Sequence, residues 1–303
     1  MKKEQLYNTK IHVPTPTLSK IVQEHLFSLG FTWESMKHDA IGERFKKYES
    51  TFKYKLLPRT FTIIRIDGKN FGTYCKNLEK PFDDGLIKDM NLTTKYLCEN
   101  IMGCKLGYTQ SDEITLVLTD FDSLTSEAWF DGTVQKIASV SASYATAKFN
   151  QLRMLRKALS EVYKDADTGR EVGRILWWNE IKDFHLAHFD SRAFNVPHIE
   201  EVINCLIWRQ QDATRNSISS VAQSLYSHKE LDGKNSSELQ EMIFQKGINW
   251  NDLDEGKKRG RLIIKEQYEK EGAIRNKWNV VETPIFSTPE GKEYLRNIIL
   301  PNN

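Results

Sequence analysis

The chain has 303 residues, of which 39% are hydrophobic, 11% aromatic and 28% charged. This composition supplies a sizeable core and excludes wholesale disorder, which needs low hydrophobicity and high net charge. Lys and Arg total 43 against 41 Asp and Glu, a formal net charge of +2. Such a balance does not announce nucleic-acid binding, although it leaves room for a local basic face. No apolar run approaches the roughly 20 residues that span a bilayer. The start, MKKEQLYNTK, is basic but leads into no apolar stretch, against an ordinary secretory signal. Cys75, Cys98, Cys104 and Cys205 form no CxxC pair. Neither a zinc knuckle nor a disulfide framework is indicated, and a reducing, cytoplasmic setting is expected.

In chain order, residues 1–37 read as an N-terminal extension. They hold Pro14 and Pro16 and then Leu18, Ile21, Val22, His25, Leu26 and Leu29 at helical spacing, which suits a docking helix. A charged helix follows over residues 41–49. FTIIRIDG, with Phe61, Ile63, Ile64 and Ile66, is a buried strand that Asp67 and Gly68 terminate. Leu86, Met90, Leu97 and Ile101 mark a helix over residues 83–101. KLGYTQ is a second strand, turning through Ser111, Asp112 and Glu113 into a third, ITLVL. A helix over residues 132–159, a fourth strand over 187–196 and a long helix over 199–226 complete the body. The order is βαββαβ, an α+β, ferredoxin-like pattern with helical additions. Residues 38–227 form this catalytic-type domain, and 228–303 are a mixed segment packing on it. Within that segment Asn235 and Glu238 have capping-box spacing, and the charged remainder from residue 249 onward is expected to wrap the core.

A βαββ arrangement makes the first and third strands neighbours, so Asp67 meets Asp112 and Glu113 at one sheet edge. Carboxylates at that distance repel and take up protons unless a cation holds them ionised. Hard oxygen ligands, including the carbonyl of Gly68, suit Mg²⁺. Two such ions about 3.5 to 4 Å apart activate an attacking hydroxyl and neutralise the leaving oxygen in phosphoryl transfer. DGKNFG is superficially similar to a calcium loop, but Lys69 and Phe71 stand where that loop needs oxygen ligands. Asp67-Gly68 alone is equally an Asp-Gly surface turn, and the SDE turn alone is no stronger a signal; their joint placement favours a metal site. His185, His188 and Asp190 are read as structural, because histidines three apart in a strand point to opposite faces. No GxSxG elbow, Walker loop or GxGxxG fingerprint is present.

RIDGKNFGTY and GYTQSDEITLVL, with GERFKKYES, FDSRAFNVP, WRQQDATRNSI and HKELDGKNSSELQEMIFQKGINWND, carry a resemblance. Over roughly residues 38–255 the chain resembles the tRNA-His guanylyltransferase family and its relatives, the guanylyltransferase-like 3′-to-5′ polymerases. The resemblance implies a palm domain like that of two-metal polymerases and nucleotide cyclases, which adds nucleotides to the 5′ end of tRNA. It implies two Mg²⁺ ions held by Asp67, Asp112 and the Gly68 carbonyl, with Glu113 as part of the acidic motif. It places Arg65, Lys69, Asn70, Phe71, Lys80, Asp83, Ser111 and Lys136 around the nucleotide. ATP and GTP are the implied substrates, tRNA the partner and a homotetramer the assembly. A 5′-monophosphate end would be activated with ATP, after which the 3′-hydroxyl of an incoming nucleotide attacks.

Two departures refine this expectation. TRNSISS over residues 214–220 stands where eukaryotic members carry HINNLYN, and Gly72 replaces a common histidine. The chain thus resembles the bacterial, archaeal and viral relatives, which implies templated 5′-end repair, with single-guanosine addition to tRNA-His as the alternative. Residues 161–183 match the family poorly. The runs KKRGR (residues 257–261) and Lys46–Lys47 are basic patches, read as RNA contacts or, more often for such runs, as solvated surface. A non-catalytic RNA-binding protein and a palm-domain nucleotide cyclase are the readings from other classes.

Overall fold

The structure, a computed structural model, describes residues 16–28, 40–160, 163–164, 171–172 and 184–300. Pro14, Leu29 and the adjacent Trp177 and Trp178 lie outside the described residues. The chain falls into two compact units, residues 1–53 and 54–303. The first holds α1 (Pro16–Ser28) and α2 (Ala40–Thr51), so the charged helix expected to open the body groups with the N-terminal residues.

The second unit begins with β1 (Phe61–Gly68), a short α3 (Phe71–Tyr74) and α4 (Asp84–Asn100). β2 (Cys104–Gln110) and β3 (Glu113–Leu118) form a hairpin. α5 (Val134–Ser160) leads to a small pair of strands, β4 (Tyr163–Lys164) and β5 (Glu171–Val172), and then to β6 (Phe189–Val196) and the long α6 (Ile199–Leu225). After α7 (His228–Leu231), α8 (Ser236–Gln245) and α9 (Glu255–Arg259) come β7 (Arg261–Lys270), β8 (Ala273–Val281) and α10 (Pro289–Ile299). The mixed α/β unit is built on one sheet in the order β6-β1-β3-β2-β7-β8, with antiparallel pairing at every step.

Alternation along β1 divides the core between the two sheet faces. Ile64 and Ile66 join Ile114, Leu116, Met90, Leu97 and Phe149 under α4 and α5. Ile63 and Val117 join Leu106, Tyr108, Val202, Leu206, Leu295 and Ile299 under α6 and α10. Every residue of β3 is buried, which fits its continuous apolar run at the centre of the sheet. Gly107 of β2 lets α4 approach closely: a Cβ there would stand 2.7 Å from both Cys98 Sγ and Thr94 Cγ2. The second half of α6 packs on α8 through Ile218, Val221, Leu239, Ile243 and Trp250.

The remainder after residue 249 does more than wrap the core. β7 pairs with β2 and β8 pairs with β7, so this segment extends the sheet itself. Leu262, Ile263 and Ile264 enter the core, whereas residues 265–277 are exposed throughout. Their polar sequence therefore carries no alternation from which strands could be read.

Candidate active site

The register of the central strands builds one carboxylate edge. Asp67, near the end of β1, lies directly opposite Glu113, the first residue of β3. Ser111 and Asp112 form the two-residue connection between the paired Gln110 and Glu113. Ser111 takes a left-handed φ of 46°, an uncommon conformation for a non-glycine residue and one that concentrates at functional turns. Burial, opposed by a hydrogen bond from Ser111, raises the pKa of Asp112, and the charge of Asp67 adds to the rise. The two carboxylates are thus electrostatic neighbours in a partly desolvated turn.

The local sequence after Asp67 has steric causes. A Cβ on Gly68 would stand 2.2 Å from Cδ2 of Phe71. Phe71 can fold back over this position only because no side chain is there. Asn70 adopts φ 57°, ψ 38° at the start of α3, a left-handed conformation that Asn tolerates better than most residues. Lys69 N–H donates to the carbonyl of His188 at 2.8 Å. Lys69 and Asn70 are exposed and line a second cleft with Tyr74, His185 and His188. The ring of Phe71, a residue expected at the nucleotide, is 5% exposed and packs against Tyr74, Phe149 and Phe189. Apolar burial takes that side chain into the core.

Glu113 has a different environment from Asp112. It faces α6, where its Oε2 accepts from Arg209 Nη1 at 2.7 Å. Burial raises its pKa against the opposing charges of Arg209 and Arg65. Arg209 also lies 3.4 Å from Asp212, which pairs with Arg215 at 3.0 Å. Both guanidiniums lie over the Trp208 ring, Arg65 at 5.5 Å and Arg209 at 3.5 Å from its centroid. The charge of Arg65 therefore acts on Glu113 from β1, while Arg209 comes from α6. Sequence reasoning assigned Arg209 no role; its one signal is the WRQQD segment, whose arginine becomes meaningful only once α6 is known to cross the Glu113 face.

Beside this edge lies a cavity of about 160 Å³ lined by Lys80, Asp83, Gln110, Ser111, Asn216 and Arg261, among others. Lys80 Nζ donates to the carbonyl of Cys75 at 3.1 Å. Burial and the charge of Asp112 push the Cys75 thiol up to about 11, against the opposing charge of Lys80. Asp83 has a capping role: its Oδ1 accepts from Leu86 N–H at 2.6 Å at the start of α4. Behind it, the buried Asp89 accepts from Arg156 at 2.6 and 3.0 Å and from Arg153 at 3.2 Å. This network, absent from the sequence reading, ties α5 to α4 beneath the loop that carries Lys80.

Lys136 stands apart from this group. It occupies the first turn of α5, and the following Ile137 packs beside Thr62 and Leu118, the far end of the β1–β3 register. Five strand positions separate Thr62 from Asp67, on the order of 17 Å. Within one chain Lys136 is not brought to the carboxylates, and its Nζ lies 4.9 Å from the Phe130 ring. The reason is topological: β3 leads away from the edge before α5 begins.

The other sequence candidates resolve into packing. His185 and His188 precede β6 instead of lying within it, and His185 stacks on Tyr74 at 5.5 Å. No group of three His, Cys, Asp or Glu side chains able to hold a metal is found among the described residues. KKRGR is not an open basic patch. Lys257 pairs with Asp84 at 2.8 Å, buried Lys258 donates to the Asn251 carbonyl at 2.7 Å, and Arg259 pairs with Glu255. Arg261, lowered by burial to about 10, donates to Asn91 at 2.9 Å and to the Gly256 carbonyl at 3.1 Å. Lys46 and Lys47 are exposed on α2. No described helix is long and apolar enough to cross a membrane.

Comparison with known proteins gives this geometry a family. The sequence model described as Thg1, tRNAHis guanylyltransferase, matches residues 42–197. The structure of a bacterial tRNA(His) guanylyltransferase (Thg1)-like protein in complex with ATP is 44% identical with a TM-score of 0.72, covering 86% of this chain and 100% of that one. The corresponding complex with GTP gives 43% and 0.69 at the same coverage. The tRNA(His) guanylyltransferase of Saccharomyces cerevisiae is 27% identical over 225 residues, 70% of this chain and 85% of its own length. By these matches the chain is a nucleotidyltransferase. It belongs to the tRNAHis guanylyltransferase family.

Proposed function

We propose that the carboxylate edge is a two-Mg²⁺ phosphoryl-transfer centre, and that the chain adds nucleotides in the 3′-to-5′ direction to the 5′ end of tRNA as templated repair. The observation that carries this reading is the meeting of Asp67 and Asp112, far apart in sequence, beside a cavity lined by Lys80, Asp83 and Ser111. The succession β6-β1-β3-β2 within the sheet supports a ferredoxin-like palm. The bacterial relatives in complex with ATP and GTP support triphosphate substrates, and the family supports tRNA as acceptor.

The donor set fits Mg²⁺. Burial and the charge of Asp67 both oppose ionisation of Asp112, and a divalent cation with a preference for oxygen relieves both. Glu113 is engaged by Arg209, so Asp67, Asp112 and the Gly68 carbonyl are the groups that would hold the ions. Bound Mg²⁺ supplies neutralisation of phosphate charge and a more acidic attacking hydroxyl. The remaining tasks fall to the chain's own residues. Lys80 and Ser111 line the cavity and orient phosphate oxygens, Arg65 adds positive charge from β1, and the Glu113–Arg209 pair fixes β3 against α6. This division suits phosphoryl transfer, in which positioning and charge stabilisation dominate catalysis.

The test is an extension assay on labelled tRNAs lacking one or more 5′ nucleotides, with all four triphosphates. Template-matched addition of several nucleotides is expected, whereas a single guanosine restricted to tRNA-His would establish guanylyl transfer alone. Binding of tRNA without any product would make the protein a non-catalytic RNA binder. Asp67→Asn and Asp112→Asn are each expected to lower addition by roughly 10³-fold or more, the scale on which loss of one key charge-stabilising group is felt. Their melting curves should stay close to the parent, and EDTA should stop the reaction without unfolding the chain. Retained addition in either variant would sink the site assignment. The tetramer implied by the family resemblance is a separate proposal, read by light scattering.

A further inference from the structure

Arg65 sets its charge on the sheet face without the partners that a half-buried guanidinium ordinarily keeps. No group among the described residues accepts a hydrogen bond from its side chain, and its Nε is buried. The strand register gives it no help. On β1 it lies between Thr115 of β3, whose Oγ1 is likewise buried and unpartnered, and Arg192 of β6. Arg192 is a like charge directly across a strand pair, an unfavourable arrangement, and its own ion pair with Asp190 at 3.3 Å is exposed. Glu113, on the same face, is committed to Arg209 at 2.7 Å. It acts on Arg65 through its charge alone.

What Arg65 does have is a ring. Its guanidinium lies 5.5 Å from the centroid of Trp208 on α6, within the range over which a cation is drawn to an aromatic face. The Arg209 guanidinium covers the same ring at 3.5 Å, but Glu113 takes its hydrogen bond and Asp212, at 3.4 Å, adds a second negative charge. Two cations thus share one indole and differ in what they keep free. Arg209 is neutralised by two carboxylates, whereas Arg65 holds its terminal nitrogens uncommitted. Trp208 itself is 46% exposed, which makes it a minor contributor to the core. Packing therefore accounts for little of its presence beside the carboxylate edge.

We propose that Trp208 is a positioning residue: its ring holds the Arg65 guanidinium beside the carboxylate edge with the terminal nitrogens free for a triphosphate. The inference rests on the reading of that edge as a phosphoryl-transfer centre. A guanidinium recognises phosphate through two parallel N–H donors, which requires a fixed plane and uncommitted donors. An ion pair with a carboxylate fixes the plane but occupies the donors. An aromatic face fixes it and occupies none. The ring also opposes the repulsion from Arg192 and Arg209, which would otherwise turn Arg65 toward solvent. Arg209, seated on the same ring at closer range and bound to Glu113, ties the indole to β3 in turn.

The test is a double-mutant cycle on the full chain with Mg²⁺, read both as GTP binding by equilibrium dialysis and as extension of a labelled, 5′-truncated tRNA. Trp208→Leu should weaken GTP binding and lower kcat/KM for the triphosphate about 3- to 30-fold, the span of a partly to largely desolvated cation–π contact. Its melting temperature should stay near that of the parent, because the side chain is nearly half exposed. Trp208→Phe keeps an aromatic face and should recover most of the loss. In an Arg65→Ala background, Trp208→Leu should cost nothing further. A loss of the same size in that background would overturn the assignment, because the indole would then act on the nucleotide directly. So would equal losses in Trp208→Leu and Trp208→Phe, or unchanged binding in either Trp208→Leu or Arg65→Ala. Coupled binding in a chain that extends no tRNA keeps the positioning role and removes the transferase reading; extension by Trp208→Leu at the parent's efficiency does the reverse.

Discussion

Gly68 connects sequence and chemistry at a single atom. Its missing Cβ admits the Phe71 ring, and the ring sits immediately beside the backbone that follows Asp67. Gly68→Ala should therefore cost about 1 to 3 kcal/mol through overpacking, measured by chemical denaturation. Nucleotide addition should fall further than the lost stability explains, because the ring cannot move without moving that backbone. Arg209 poses the opposite problem, a charge that cannot be removed alone. Its side chain and that of Glu113 are 6% and 10% exposed, so Arg209→Met leaves a buried carboxylate and should cost about 3 to 5 kcal/mol. Adding Glu113→Gln to that variant should restore most of the loss in the same denaturation series. If the double variant is no more stable than Arg209→Met, the pair is not what holds β3 against α6. Asp67 and Asp112 are legible in sequence because strand ends and tight turns leave local marks. Arg209 is not, because its partner lies on a strand distant in the chain.

At the scale of elements, the same distinction separates α8 from β7 and β8. The capping box read from Asn235 and Glu238 is present: Asn235 Oδ1 accepts from Ser237 and Glu238 N–H at 3.0 and 3.1 Å, and Glu238 accepts from Asn235 N–H at 2.9 Å. Asn235→Ala should cost about 1 kcal/mol in thermal or chemical unfolding. The hydrogen bond from Asn235 N–H, helped by Lys234, holds the Glu238 carboxyl below its usual value. A depressed folded pKa stabilises above the unfolded value and loses that effect as pH falls through the folded one. The difference between parent and Glu238→Gln should therefore be present at pH 7 and shrink in acid. β7 and β8 left no comparable mark. KEQYEKEGAIRNK is rich in helix-forming residues, and strands that meet water on both faces need no apolar alternation. Only the run Leu262, Ile263 and Ile264 betrays the part of β7 that is buried.

Across the whole molecule, the carboxylate edge is one end of a structure fastened at the other end of the sequence. Gln210, next to Arg209, donates to the Pro284 carbonyl and accepts from Phe286 N–H, both at 2.8 Å. Leu295 and Ile299 of α10 are fully buried in the same layer. Removal of residues 284–300 should therefore give a chain that melts early or aggregates, checked by scanning calorimetry and gel filtration, instead of a trimmed enzyme with normal turnover. The central layout was legible because its strands and helices are amphipathic or continuously apolar. The late strands and the α5–α4 ion network were not, because they depend on contacts that only the completed sheet creates.

The order of the sheet also sets a schedule for synthesis. β1, β2 and β3 leave the ribosome early, yet β1 waits for β6 and Leu106 of β2 waits for Ile264 of β7. Until β6 emerges the nascent three-stranded sheet shows two unsatisfied strand edges, and the β2 edge stays open until β7 follows, the condition under which chains pair with the wrong neighbour. Fragments that stop before Arg261 inherit that exposure permanently. Intermolecular β-pairing, more than loss of a ligand, is the failure to expect from them.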